Sequence, residues 1–110
     1  MKKLANGSAT FETPDGARSR VLGLLGFGTV TRLLPLGAAA IADGRATVID
    51  LSGVTGADSA GLALLIEWLS VAKEAERSVR YENVPAQLRQ LAHLSEVDEL
   101  LLADSVGAPA

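Results

Sequence analysis

The spacing of apolar and polar positions changes several times along this chain, and each change predicts an element. Ala9 to Glu12 suits a short first strand, and Pro14-Asp15-Gly16 is a turn signal in which proline fixes φ and glycine allows φ > 0. Arg18 to Phe27 then predicts a second strand, paired with the first as an antiparallel hairpin. Val21, Leu22, Leu24 and Leu25 make it apolar on both faces near its end, as inside a covered sheet. Gly26-Phe27-Gly28-Thr29 closes it, and Thr29 or Thr31 can cap a helix carrying Leu33, Leu34, Leu36, Ala39, Ala40 and Ile41. Pro35 fits that helix only in its first turn, and Asp43-Gly44 stops it.

Ala46 to Leu51 predicts a buried strand by length and β-branched content. A loop of small and polar residues follows and delivers Asp58-Ser59 to the start of another helix. At 100° per residue, Leu62, Leu65, Ile66, Leu69 and Ala72 form one apolar stripe of that helix, and Leu64, Trp68, Val71 and Ala75 form a second beside it. The apolar arc is roughly 220° wide, against ~100° for a simple surface helix. A neighbouring helix must cover the excess, or another protein must. Val79 to Val84 alternates like a strand with one wetter face, and Pro85 opens a third helix with Leu88, Leu91, Ala92 and Leu94 as its buried stripe. Val97 to Leu102 is a last short apolar element.

The order β-β-α-β-α-β-α predicts an α/β fold. Strand–helix alternation from Ala46 onward implies parallel strands joined by right-handed crossovers, and the hairpin adds an antiparallel edge. The sheet is therefore expected to be mixed. A single domain over 8–103 is expected, with a flexible N-terminus over 1–7 and a flexible C-terminal tail over 104–110.

Composition removes several functions. A formal charge of −3 with 21% charged residues supplies no basic face for nucleic acid. There is no cysteine, and one histidine without an acidic motif argues against a metal centre. Aromatic content of 4% leaves an aliphatic core and no walls for a stacked cofactor, so no cofactor is expected. Polar residues follow Met-Lys-Lys too soon for a signal peptide, and no apolar run reaches the ~18 residues that a membrane span needs. A cytoplasmic location without membrane insertion is the expectation.

Asp58 and Ser59 are the chemically pointed residues. Either can cap the helix they begin, and phosphate on Ser59 would meet free N–H donors there. Catalysis is not expected, because Ser59 lacks a serine elbow and the single histidine, His93, lies on a later helix. Gly23, Gly26 and Gly28 lack the lysine and hydroxyl of a phosphate loop. Trp68 is read either as core or as a partner contact.

The stretch VIDLSGVTGADSAGLALLIEWLSVAK resembles the signature of the STAS domain family, sulfate-transporter and anti-sigma-factor-antagonist domains. The matching parts are Asp50-Leu51-Ser52, Asp58-Ser59, Ala60 and Gly61-Leu62, and the likeness runs on through YENVPAQLRQLAHLSEVDELL. It implies a STAS-like mixed sheet with helices mainly on one face. Within the family, the GLALLIEWLSVAK helix and Leu33-Leu34-Pro35-Leu36 look most like the Mla branch, small STAS subunits of phospholipid ABC transporters. That branch implies a non-enzymatic subunit that binds and stabilises an MlaF-like ATPase and, through it, meets the membrane permease. It would sit peripherally at the inner membrane and support outer-membrane lipid asymmetry. Asp58, Ser59, Leu62, Leu64 and Trp68 are the residues expected at or near the partner surface. The alternative implied by the family is an anti-sigma-factor antagonist regulated by phosphorylation of Ser59. One departure counts against it: Thr29 stands where antagonists commonly carry an aspartate.

Overall fold

A computed structural model of the chain describes residues 8–15, 18–99 and 101; the ends expected to be loose, 1–7 and 104–110, lie outside them. Four strands form one sheet in the order β1 (Ala9–Asp15), β2 (Arg18–Leu25), β3 (Val48–Ala57) and β4 (Arg80–Glu82). The first pair is antiparallel, and β2–β3 and β3–β4 are parallel, so the sheet is mixed. The helices are α1 (Val30–Ala42), α2 (Ser59–Glu74) and α3 (Ala86–Leu94).

Burial shows which sheet face the helices cover. Along β2 the buried residues are Ser19, Val21, Gly23 and Leu25, joined by Ile49 and Leu51 of β3 and Tyr81 of β4. The opposite face carries Arg20 bonded to Glu12 (2.8 Å), Arg18 paired with Glu82, and Asp50 accepting from Asn83 (2.9 Å). Sheets with parallel strands are usually covered on both faces. Here the uncovered face is kept wet by ion pairs that cross strands, each worth at most about 1 kcal/mol. The expectation that β2 is apolar-packed on both faces near its end is corrected accordingly: Leu24 is 37% exposed while Leu25 is buried.

Two further expectations change. The segment Ser52–Ala57 is not a loop but a continuation of β3. It keeps pairing with Leu22–Leu25 through two register shifts, which absorb the extra residues on the β3 side near Gly53 and Gly56. Pro35 lies in the second turn of α1 rather than the first, on its exposed side. Its ring removes one helical N–H bond there, and packing of the inner face holds the helix together.

All three helices end with paired bonds of one kind, from C″ to C3 and from C′ to C2. In α1 these are Arg45 N–H to Ala40 C=O (2.8 Å) and Gly44 N–H to Ile41 C=O (3.1 Å), with Gly44 at φ +86. Glu76 and Glu96 take the same left-handed position after α2 and α3.

Most of the broad apolar arc of α2 is covered from within the chain, with Ile66, Leu69 and Val71 only partly buried. Leu62, Leu64, Leu65 and Trp68 are all buried, with α1 lying along the Trp68 side. The Trp68 Nε1–H donates to Leu34 C=O at 3.1 Å, and its ring meets Phe11 edge-on at 5.4 Å between centroids. Gly37 makes this contact possible, because a Cβ built there would lie 2.3 Å from the indole. Leu88 and Ala92 anchor α3, whereas Leu94, expected in the same stripe, is 80% exposed. Residues 98 and 99 are helical, and Leu101 is buried against the core.

Gly37→Ala should therefore lower stability by about 1–3 kcal/mol in urea unfolding, an overpacking cost. Trp68→Ala should cost about 3–5 kcal/mol. In Trp68→Leu the added methyl finds room, so the double variant with Gly37→Ala should be more stable than the sum of the two single changes predicts.

Candidate functional site

The strand β3 ends at Ala57 and α2 begins at Ser59, so Asp58 is the hinge between them. Its backbone is extended, at φ −128 and ψ −169, as an N-cap requires. Its Oδ1 accepts from Ala60 N–H (2.8 Å) and Gly61 N–H (3.2 Å), meeting two of the free donors of the first turn. Its Oδ2 reaches the β2–α1 loop and accepts from Phe27 N–H at 3.1 Å. These bonds hold the Asp58 carboxyl below the usual carboxylate range, with Phe27 N–H the largest cause; partial burial opposes the shift and the Gly61 and Ala60 N–H groups reinforce it. One exposed carboxylate thus caps α2 and fixes the neighbouring loop.

Thr29 braces that loop from below. It is buried, and its hydroxyl donates to Leu24 C=O (2.7 Å) and accepts from Gly26 N–H (3.0 Å). It sits at the N-cap position of α1 without making a side-chain cap bond. The hydroxyl at this position is a structural strut.

Phe27 stands at the tip of the loop and is 84% exposed. A Cβ added at Gly28 would meet nothing within 4 Å, so the backbone beside Phe27 is open to approach. Ser59 is exposed next to Asp58, and among the described residues its hydroxyl has no hydrogen-bond partner. The cap is therefore Asp58 and not Ser59. The N-terminal turn of α3 borders the same region, because Gln87 Oε1 accepts from Ala57 N–H at 3.1 Å.

The residues expected at a partner surface divide cleanly. Asp58 and Ser59 are exposed at the corner. Leu62, Leu64 and Trp68 are 4%, 2% and 0% exposed, which corrects their expected place at a partner surface. Periodicity put them on an over-wide apolar arc but could not show that α1 lies over it. Phe27 was missed as a site residue, since it read only as the end of a strand. Its glycine flanks were the available signal: apolar core positions in strands are not usually set between two glycines. His93 lies in the last turn of α3, with Nδ1 3.1 Å from Asp98 Oδ2, and makes no bond to Ser59. No group of three or more metal-ligating side chains occurs among the described residues.

A family model described as MlaB, STAS domain, matches residues 12–103. The chain belongs to the STAS domain family. Two solved structures share its fold. The anti-sigma factor antagonist SpoIIAA in its unphosphorylated form is 16% identical, with a TM-score of 0.60 over 79% of this chain and 83% of that one. The Bacillus cell fate determinant SpoIIAA in its phosphorylated form is also 16% identical, with a TM-score of 0.62 over 86% of this chain and 88% of that one. A search of curated proteins finds no match. The mixed sheet with α1, α2 and α3 is the scaffold expected of that family, and Asp58-Ser59 stand at its β3–α2 junction.

Asp58→Ala should cost about 0.5–2 kcal/mol as a lost cap, with loss of amide protection at Phe27 as well as Ala60 and Gly61 in hydrogen exchange. Ser59→Ala should change stability by less than about 0.5 kcal/mol, as for a surface position. The pH dependence follows from the lowered Asp58 pKa. Its stabilisation is fully present above the unfolded value of about 3.9 and is lost as pH falls through the lower folded value. Asp58→Asn should accordingly flatten the acid limb of a melting-temperature profile below about pH 4.

Proposed function

We propose that the chain is a non-catalytic STAS subunit that binds and regulates the ATPase of an Mla-type phospholipid ABC transporter. The observation that carries this reading is the corner itself. An exposed phenylalanine stands on a loop fixed by Asp58, beside an exposed serine with an unengaged hydroxyl. Aromatic side chains flanked by polar groups are the usual anchors of protein interfaces, and holding the loop in place beforehand lowers the ordering cost of binding. The apolar outer side of α1 extends the surface: Pro35, Leu36 and Ala39 are exposed there, with Leu36 at 47%. A helix apolar on nearly every side is normally covered.

The family match favours the transporter setting, since the matching model is described as MlaB. The subunit would then sit at the inner membrane through its partners. It would not insert itself, in keeping with described helices that are all too short or too polar to cross a bilayer. No step in this role needs a base for Ser59, and the Asp58 carboxylate is already occupied by three backbone N–H groups.

A second reading is an anti-sigma-factor antagonist switched by phosphate on Ser59. It is favoured by the likeness to SpoIIAA, which has been solved in both unphosphorylated and phosphorylated forms. Ser59 is accessible for such a modification at the start of α2.

Co-expression with the ATPase subunit of the candidate transporter, followed by size-exclusion chromatography, should give a single co-eluting complex. Phe27→Ala should weaken it at least tenfold while leaving the melting temperature of the free chain within 2–3 °C, as for an interface anchor outside the core. Separate elution of the two wild-type chains would remove the transporter reading. A gain of one phosphate in intact mass on incubation with a candidate anti-sigma kinase and ATP, abolished in Ser59→Ala, would establish the second.

A further inference from the structure

A groove of about 540 Å³ lies at the opposite end of α2 from the Asp58 corner, between the last turns of that helix and the start of β4. Its size falls within the range of small-molecule sites, about 300–1,000 Å³. The apolar walls are Ile66, Leu69, Ala72 and Val79. Ile66 and Leu69 belong to the broad apolar arc of α2 and are only partly buried, so the chain's own helices leave this section incompletely covered.

The polar lining is of one kind. Lys73 and Arg77 supply two cations, Ser70 and Ser78 supply two hydroxyls, and among the described residues no carboxylate lines the groove. This sits in a chain of net charge −3. Arg77 is positioned by its Nε–H, which donates to Ala42 C=O at 3.2 Å, and its guanidinium lies over Gly44. It also stands near enough to Asp43 to help lower that carboxyl's pKa, although Arg45 is the main cause. Lys73 is exposed and forms no ion pair among the described residues. Complementing the C-terminal dipole of α2 accounts for a lysine there. It does not account for a second cation beside it, or for Ile66 and Leu69 left partly uncovered over a floor made by the buried Ala72 and Val79.

We propose that this groove binds a single-chain anionic amphiphile, with its hydrocarbon against Ile66, Leu69, Ala72 and Val79 and its acid head on Lys73 and Arg77. Both parts of the ligand are required by the lining. An apolar ligand would leave Lys73 unmatched, and a free inorganic anion would leave Ile66 and Leu69 wet. Carboxylate and phosphate heads satisfy the same two cations, the planar guanidinium of Arg77 offering a paired contact to either. The site is separate from Phe27 and Ser59, so it stands independently of the partner assigned to that corner.

The test is a titration of the full-length chain below the critical micelle concentration, followed by two-dimensional amide NMR. The probes are dodecanoate, dodecyl phosphate, dodecanol and inorganic phosphate. Saturable shifts are expected for one or both charged amphiphiles, centred on Ile66, Leu69, Ser70, Lys73, Ser78 and Val79; the stronger of the two identifies the head group. Dodecanol and inorganic phosphate should bind at least tenfold more weakly. Lys73→Glu should weaken the preferred amphiphile at least tenfold with the melting temperature preserved, and Leu69→Ser should weaken it through the tail. If Leu69→Ser does not fold, Lys73→Glu with the dodecanol comparison decides. Equal affinity for dodecanol, equal affinity for inorganic phosphate, insensitivity to Lys73→Glu, shifts centred on Phe27 and Leu36, or no saturable binding would each overturn the proposal.

Discussion

The joint on which the rest of this structure depends is the Trp68 indole. It lies in the gap left by Gly37, donates to Leu34 C=O and meets the Phe11 ring edge-on. One side chain thereby ties α2 to α1 and both to strand β1. The requirement is mutual: the indole needs a residue without a Cβ opposite it, and its N–H needs an acceptor inside the core. With α1 seated in this way, the second apolar stripe of α2 is covered. The sheet beneath is then shielded on its helical face, while cross-strand ion pairs keep the other face wet.

A rigid α2 has consequences at both of its ends. At the N-terminus, Asp58 can serve two elements at once only because Leu25, Thr29 and the start of α2 are held in fixed relation. Asp58 N–H bonds Leu25 C=O at 3.1 Å while its carboxylate reaches Phe27. The exposed Phe27 is therefore presented by a braced loop, and little order has to be created when a partner arrives. At the C-terminus, the paired backbone bonds that place Glu76 at φ 58 turn the chain and aim Arg77 back toward Ala42. The groove beside Lys73 is the space this turn leaves.

The departure at Thr29 takes on a physical meaning in this setting. A carboxylate there would be buried against Leu24 C=O and Gly26 C=O, both acceptors that a hydroxyl can satisfy and an ionised acid cannot. With threonine, the loop is closed by neutral bonds, and Asp58 is the acid that organises the corner.

Much of this was legible in the chain itself. Apolar patterning and composition located β1 to β4 and α1 to α3 among the described residues, β3 only as far as Leu51, and strand–helix alternation pointed to the parallel part of the sheet. The Asp50-Leu51-Ser52 and Asp58-Ser59 motif pointed to the STAS family, and Asp58 or Ser59 was marked as a cap because short polar side chains at a helix start do that work locally. These features depend on neighbours within a few residues. What depended on distant partners was decided only in three dimensions. Nothing near Trp68 in sequence reveals that Gly37 makes room for it and seats it in the core. Ser52–Ala57 has loop-like composition, yet β2 offers it a ladder to continue. Pro35 survives in the second turn of α1 because the inner face of that helix is packed. Phe27 is a surface aromatic because Asp58, 31 residues away, holds its backbone at the rim.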